Sequence, residues 1–116
     1  MKRIAFFLLL GLLLAACEKD PETGDLLISV EYDGYPEENV EVWLFDSYQA
    51  FDDFEFMDRQ LTNDKGEVLW TGLQPGMYYY EAEITKPVSF YLYAADSTEV
   101  VAGSQKNKRL ILVPTK

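Results

Sequence analysis

Apolar residues recur at every second position over most of the chain beyond residue 24. Leu26, Ile28, Val30 and Tyr32 share one parity, with Leu27, Ser29, Glu31 and Asp33 on the other, the period of a strand with one buried face. Asp33-Gly34-Tyr35-Pro36 breaks the run. Val40, Val42 and Leu44 then resume it, with Glu41 between them and with Trp43 and Phe45 adding apolar bulk to the second face. Tyr78, Tyr80, Ala82 and Ile84 alternate with Tyr79, Glu81 and Glu83 until Pro87, and Val88, Phe90, Leu92 and Ala94 alternate with Ser89, Tyr91 and Tyr93. A last strand around Arg109 to Val113 is expected to end at Pro114. Beyond the N-terminus no segment sustains a helical period. Short strands between turn signals at roughly 8–12-residue spacing predict an all-β sandwich or barrel.

The N-terminus follows a different pattern. Met-Lys-Arg precedes an apolar run from Ile4 to Ala16, and Cys17 follows. That run is short of the ~20 residues a spanning helix needs, so residues 1–16 read as a cleaved export signal. The residues alone fit an ordinary signal cut after Ala16, which leaves Cys17 a free thiol, or a lipoprotein signal. Leu14-Ala15-Ala16-Cys17 resembles the bacterial lipobox. The resemblance implies diacylglycerol on the Cys17 thiol and a further palmitate-type chain on the new amino terminus, which makes Cys17 an anchor. Glu18 to Gly24 then form a polar tether, and residues 25–116 form a single domain. A lysine and acids directly after the cysteine resemble the signal that sends Bacteroidetes lipoproteins to the outer face of the outer membrane, with Pro21 in place of a second consecutive acid.

Composition narrows the chemistry. The 116 residues contain no His and one Cys, which removes the usual general base, imidazole metal ligands, internal disulfides and thiolate cages. The formal charge is −10; loss of Lys2 and Arg3 with the signal leaves 8 cations against 20 acids, or −12. Such a charge repels phosphate backbones, so no nucleic-acid partner is expected.

The stretch Thr62 to Tyr80 carries the most specific motif. Asn63-Asp64-Lys65-Gly66 is expected to close a hairpin with Val68 to Trp70, and Gly72 and Pro75-Gly76 turn the chain again. Tyr78 enters the next strand where its ring can be buried while its hydroxyl reaches a backbone group, as in a tyrosine corner. The spacing of Thr62, Asn63, Gly66, Val68, Trp70, Leu73, Pro75, Gly76 and Tyr78 resembles the transthyretin-like (prealbumin-like) domains shared by carboxypeptidase regulatory-like proteins and collagen-adhesin B-type repeats. The resemblance implies a Greek-key β-sandwich of about seven strands, and it is nearly silent on function. Many B-type repeats cross-link a first-strand Lys to a last-strand Asn; Asn107 lies near the last strand, but 25–31 contains no Lys, so no such bond is expected.

Two constellations could carry binding. Asp46, Asp52, Asp53, Glu55 and Asp58 could supply oxygens to a calcium ion, but the spacing lacks a calcium-loop motif and better fits a solvated, partly aromatic connecting segment. Trp43, Phe45, Tyr79, Tyr91 and Tyr93 share the outer parity of their strands. These rings either form a platform for sugar rings or a partner protein, or lie beneath a crossing segment such as 46–58. A glycosidase-like carboxylate pair lacks a cleft deep enough to hold it. Asp96-Ser97-Thr98 resembles a Bacteroidetes O-glycosylation acceptor and also fits an ordinary turn, and Lys106, Lys108 and Arg109 fit a hairpin turn or a protected edge strand. Together these features predict a non-catalytic, lipid-anchored envelope module without a cofactor, held to the membrane by its lipid and contacting polysaccharide or an envelope protein through Trp43, Tyr79, Tyr91 and Tyr93. The alternative is a pilus or adhesion component that associates by β-strand addition.

Overall fold

Leu26, Ile28 and Val30, the even positions of the first apolar run, are fully buried, and the strand they define organises one of two sheets. A computed structural model describes residues 22–86 and 90–115. The signal segment and Cys17 lie outside the described residues, as do 87–89, where alternation places a strand start at Val88. The described strands are β1 (Gly24–Tyr32), β2 (Tyr35–Pro36), β3 (Glu41–Phe45), β4 (Asp58–Leu61), β5 (Glu67–Leu73), β6 (Gly76–Thr85), β7 (Tyr91–Val100), β8 (Gln105–Ile111) and β9 (Val113–Thr115). One short helix, α1 (Tyr48–Asp52), joins β3 to β4.

β1 runs parallel to β8 on one side and antiparallel to β5 and β2 on the other. The second sheet is wholly antiparallel, in the order β4-β3-β6-β7-β9. The chain changes sheet at β2–β3, β4–β5, β5–β6, β7–β8 and β8–β9, so the protein is an all-β sandwich in which seven longer strands carry the body and β2 and β9 are short additions. Between the layers Leu26, Ile28, Val30, Val42, Leu44, Tyr80, Ala82 and Leu92 are completely enclosed. Each buried aliphatic side chain stabilises the fold by about 1.5–3 kcal/mol relative to exposure. Among the described residues no helix is long and apolar enough to cross a membrane.

Several local expectations are met in chemistry but not in connection. Asn63 Oδ1 accepts hydrogen bonds from the N–H groups of Lys65 and Glu67, and Gly66 adopts φ +76°, as the turn residues require. The turn does not close a hairpin, however: β4 pairs with β3 and β5 pairs with β1, so it is a corner between sheets. Thr62, 3% exposed, fixes that corner, its hydroxyl donating to the Glu37 carbonyl at 2.7 Å and accepting from Val40 N–H at 2.9 Å. Pro114 does not end the last strand; it lies within β9 opposite Leu92, where an edge position tolerates a missing N–H. Asp96-Ser97-Thr98 is no turn but the middle of β7. Lys106, Lys108 and Arg109 lie on β8, an edge strand. The Tyr78 ring is buried, and its hydroxyl donates to the Gln74 carbonyl at 2.8 Å, which completes the tyrosine corner.

Candidate functional site

The outer face of the five-stranded sheet is divided into two unlike halves. Ladder register places Trp43 beside Glu81 and Ala95, and Phe45 beside Tyr79 and Ser97. Further along, Glu41, Glu83, Tyr93 and Val113 form one row across four strands, and Tyr91 lies between Thr85 and Thr115. Among the described residues a segment covers the first half and none covers the second.

The cover is the segment 46–57. Ser47 caps α1, its Oγ accepting from Ala50 N–H at 3.0 Å. At the other end Phe54 N–H donates to the Phe51 carbonyl and Glu55 N–H to the Ala50 carbonyl, the paired bonds of a Schellman motif. The left-handed residue of that motif is usually glycine. Here it is Phe54, at φ 55°, a conformation that disfavours a side chain by roughly 1–2 kcal/mol. The ring explains the choice. It meets Trp43 edge-on at 5.4 Å, Phe45 at 5.8 Å and Phe56 at 5.5 Å, while Phe51 meets Phe45 at 5.3 Å and Tyr48 meets Tyr79 at 5.8 Å. Trp43 is consequently 7% exposed and Phe45 fully buried, so Trp43 is not part of an open ring platform. Tyr79 is half-buried beneath α1.

The uncovered half is built from tyrosines and glutamates on two neighbouring strands. Tyr91 and Tyr93 stack with centroids 6.3 Å apart and planes inclined by 23°. Their hydroxyls run diagonally across the ladder: Tyr93 donates to Glu81 Oε1 at 3.1 Å, and Tyr91 bonds Glu83. Burial, followed by the Glu81 charge, pushes the Tyr93 hydroxyl up to about 12, and burial with the Glu83 bond raises Tyr91 well above the usual phenol range. Desolvation raises the Glu81 carboxyl against the lowering effect of the Tyr93 bond, with Glu83 adding repulsion. Glu41 at the margin is paired with Arg59 at 3.0 Å. The result is a fixed aromatic surface with carboxylate acceptors beside it.

The five carboxylates of 46–58 do not act together. No group of three acids capable of holding a metal occurs among the described residues. Asp53 accepts from the Gln49 amide at 2.8 Å, and Asp58 accepts from the Trp70 indole N–H at 2.7 Å. An open hollow of about 260 Å³ lies beside the cover, lined by Phe51, Tyr79, Ala95, Asp96 and Ser97. Tyr79 and Ser97 bring hydroxyl groups to it, and Asp96 Oδ1 accepts from the Ser97 backbone N–H at 2.8 Å. Asn107, aligned with Leu27 of β1, bonds the Gln105 side chain.

The domain also has two distinct ends. Gly24 pairs with Leu73, Asp25 with Gln105 and Gly76 with Val100, so β1 begins at that end of the sandwich. Tyr91 pairs with Thr85 and Thr115 at the opposite end.

No protein-family model matches the chain, and no curated protein sequence matches it. Solved structures do share its fold. It is similar to part of the Bacillus anthracis TIE protein, with a TM-score of 0.59 and 15% identity over 78% of this chain and 16% of that one. It is similar to BcpA, the major pilin subunit of Bacillus cereus, with a TM-score of 0.57 and 12% identity over 83% of this chain and 31% of that one. It is also similar to the shaft pilin SpaA of Lactobacillus rhamnosus GG, with a TM-score of 0.58 and 10% identity over 81% of this chain and 52% of that one. The chain therefore spans at most about half of each of these proteins. At such identities the likeness concerns fold.

Proposed function

We propose that this protein is a lipid-anchored, non-catalytic structural or adhesion module of the cell surface, held by Cys17 and presenting the Tyr91–Tyr93 face outward. The observation that carries this reading is the polarity of the domain. The tether joins at Gly24, whereas the stacked tyrosines and their glutamates occupy the far half of the same sandwich. Pilin subunits among the solved structures of this fold favour a structural role, and the sequence offers no imidazole to act as a general base beside Ser97.

The finer proposal is that the uncovered half contacts glycan. Tyrosine rings offer flat apolar surface to sugar faces, and Glu81 and Glu83 accept hydrogen bonds from hydroxyl groups. Trp43 and Tyr79 do not belong to this contact, since they lie under the cover. The anchor is tested by fractionating cells that express wild type or Cys17→Ala: the wild type partitions with membranes and is cut by protease added outside the cell, and the variant is found in soluble fractions. The face is tested by retention on immobilised polysaccharides, which Tyr91→Ala or Tyr93→Ala abolishes.

One observation favours association by strand addition as a second reading. Ala94–Val100 of β7 pairs with β6 on one side only, among the described residues. Proline at Ala95 would block such pairing and leave a glycan contact intact. The Asp96 carboxylate, which engages the Ser97 N–H on this strand, weakens the reading by blunting the edge.

A further inference from the structure

Six cations fall among the described residues: Arg59, Lys65, Lys86, Lys106, Lys108 and Arg109. Three of them lie within four positions of β8, which has no partner strand on its outer side among those residues. Arg59 and Lys86 are engaged by Glu41 and Glu37 at 3.0 and 2.7 Å, whereas Arg109 has Glu31 no nearer than 4.0 Å. Ile111, 51% exposed, continues this edge with apolar surface.

The opposite pole of the charge map is the cover over Trp43. From Asp46 to Asp58 there are five carboxylates and no cation. Tyr48, Phe54, Phe56 and Met57 are all at least 44% exposed there. A large apolar surface rimmed by charge marks an interaction site more often than chance exposure, and aromatic rings beside carboxylates suit lysine and arginine through both ion pairing and cation–π attraction.

We infer that the partner of this surface is a second copy of the chain: β8 of one molecule docks on the 46–58 cover of the next. The charge map selects this pairing. Two β8 edges repel each other, as do two covers, so neither symmetric contact is favoured. The remaining combination brings the densest basic strand to the most acidic segment and hides apolar surface on both sides. Because the two patches lie on different sheets, the contact is head-to-tail and leaves one of each free for further copies. The patches are small beside the ~800 Å² per partner of a stable complex, so each contact is weak in solution. Confinement at a membrane raises the effective concentration and populates it, a step that rests on the proposed anchor.

Cys17 is the only native cysteine, so introduced thiols can report the contact. Phe56→Cys and Ile111→Cys copies are expressed together in the native host, and disulfide-linked dimers are separated by mass. The mixed dimer is expected to exceed either homodimer by about tenfold, and to fall about tenfold when the Ile111→Cys copy also carries Lys106→Glu and Lys108→Glu. Asp52→Lys with Asp53→Lys in the Phe56→Cys copy restores it, which shows that the reversed chain is still folded. Homodimers as abundant as the mixed dimer, or a yield indifferent to charge reversal, would overturn the docking. Acylation of Cys17 is read separately from the mass of its peptide, so absence of the mixed dimer on an acylated chain overturns the docking alone.

Discussion

Replacing Phe54 separates the backbone of the cover from its ring. At φ 55° the native Phe bears roughly 1–2 kcal/mol that glycine would not. The ring is 44% exposed, so it buries about half its surface, which contributes about 1–1.5 kcal/mol from a full-burial value of up to about 3. Its edge contacts with Trp43 and Phe45 add about 0.5–1.5 kcal/mol each. Phe54→Gly loses the ring and gains the relaxed backbone, for a net cost of about 2 kcal/mol. Phe54→Ala loses the ring and keeps most of the strain, for a cost of about 3–4 kcal/mol. Alanine should therefore be the worse substitution by at least about 1 kcal/mol, the reverse of the order found inside a helix. Urea denaturation measures the difference, and acrylamide quenching reports whether Trp43 has been uncovered. An alanine variant as stable as the glycine variant, or unchanged quenching in both, would refute the account of why Phe occupies this turn.

Other outcomes follow from single contacts. Trp70→Phe removes the indole donor to Asp58 and should cost about 1.5–3 kcal/mol in chemical denaturation, as expected for a bond to a charged group. The Tyr80 hydroxyl is enclosed and has no hydrogen-bond partner among the described residues, so Tyr80→Phe should leave stability unchanged or raise it by about 1 kcal/mol; a loss of that size would contradict the reading. A Cβ at Gly66 would lie 2.7 Å from the Val30 carbonyl oxygen, whereas one at Gly34 meets nothing within 4 Å. Gly66→Ala should thus lower the melting temperature well beyond Gly34→Ala, which carries only the ~1–2 kcal/mol of a left-handed alanine. The raised pKa of Glu81 means that its ionised form opposes folding above that pKa and that protonation relieves the cost. Glu81→Gln should be more stable relative to wild type at neutral pH, with the difference shrinking as pH falls through the carboxylate range, as thermal melts at several pH values would show.

Period-two alternation locates β1, β3, β6 and β7 because each buries one face against the same core, and the tyrosine corner is legible because Pro75-Gly76 fixes the position of Tyr78. Sheet membership is not legible from the same signal. Asn63 to Gly66 has turn chemistry whether its flanking strands pair with each other or, as here, with β3 and β1. α1 is five residues long, too short to establish a 3.6 period, and its cap Ser47 carries no mark that separates it from other loop serines. Trp43 and Phe45 show two-sided burial that alternation registers only as extra apolar bulk. The Tyr91–Glu83 and Tyr93–Glu81 pairs depend on register, which puts residues eight and twelve positions apart on matching diagonals only once β6 and β7 are aligned.

The claim that matters most is that this sandwich is tethered by lipid on one side chain. The intact mass of the protein extracted with detergent from its native host tests it. The account predicts a chain beginning at Cys17 and heavier than its sequence by a diacylglycerol and an acyl chain. A chain that retains residues 1–16, or one that begins at Cys17 with an unmodified thiol, would contradict it.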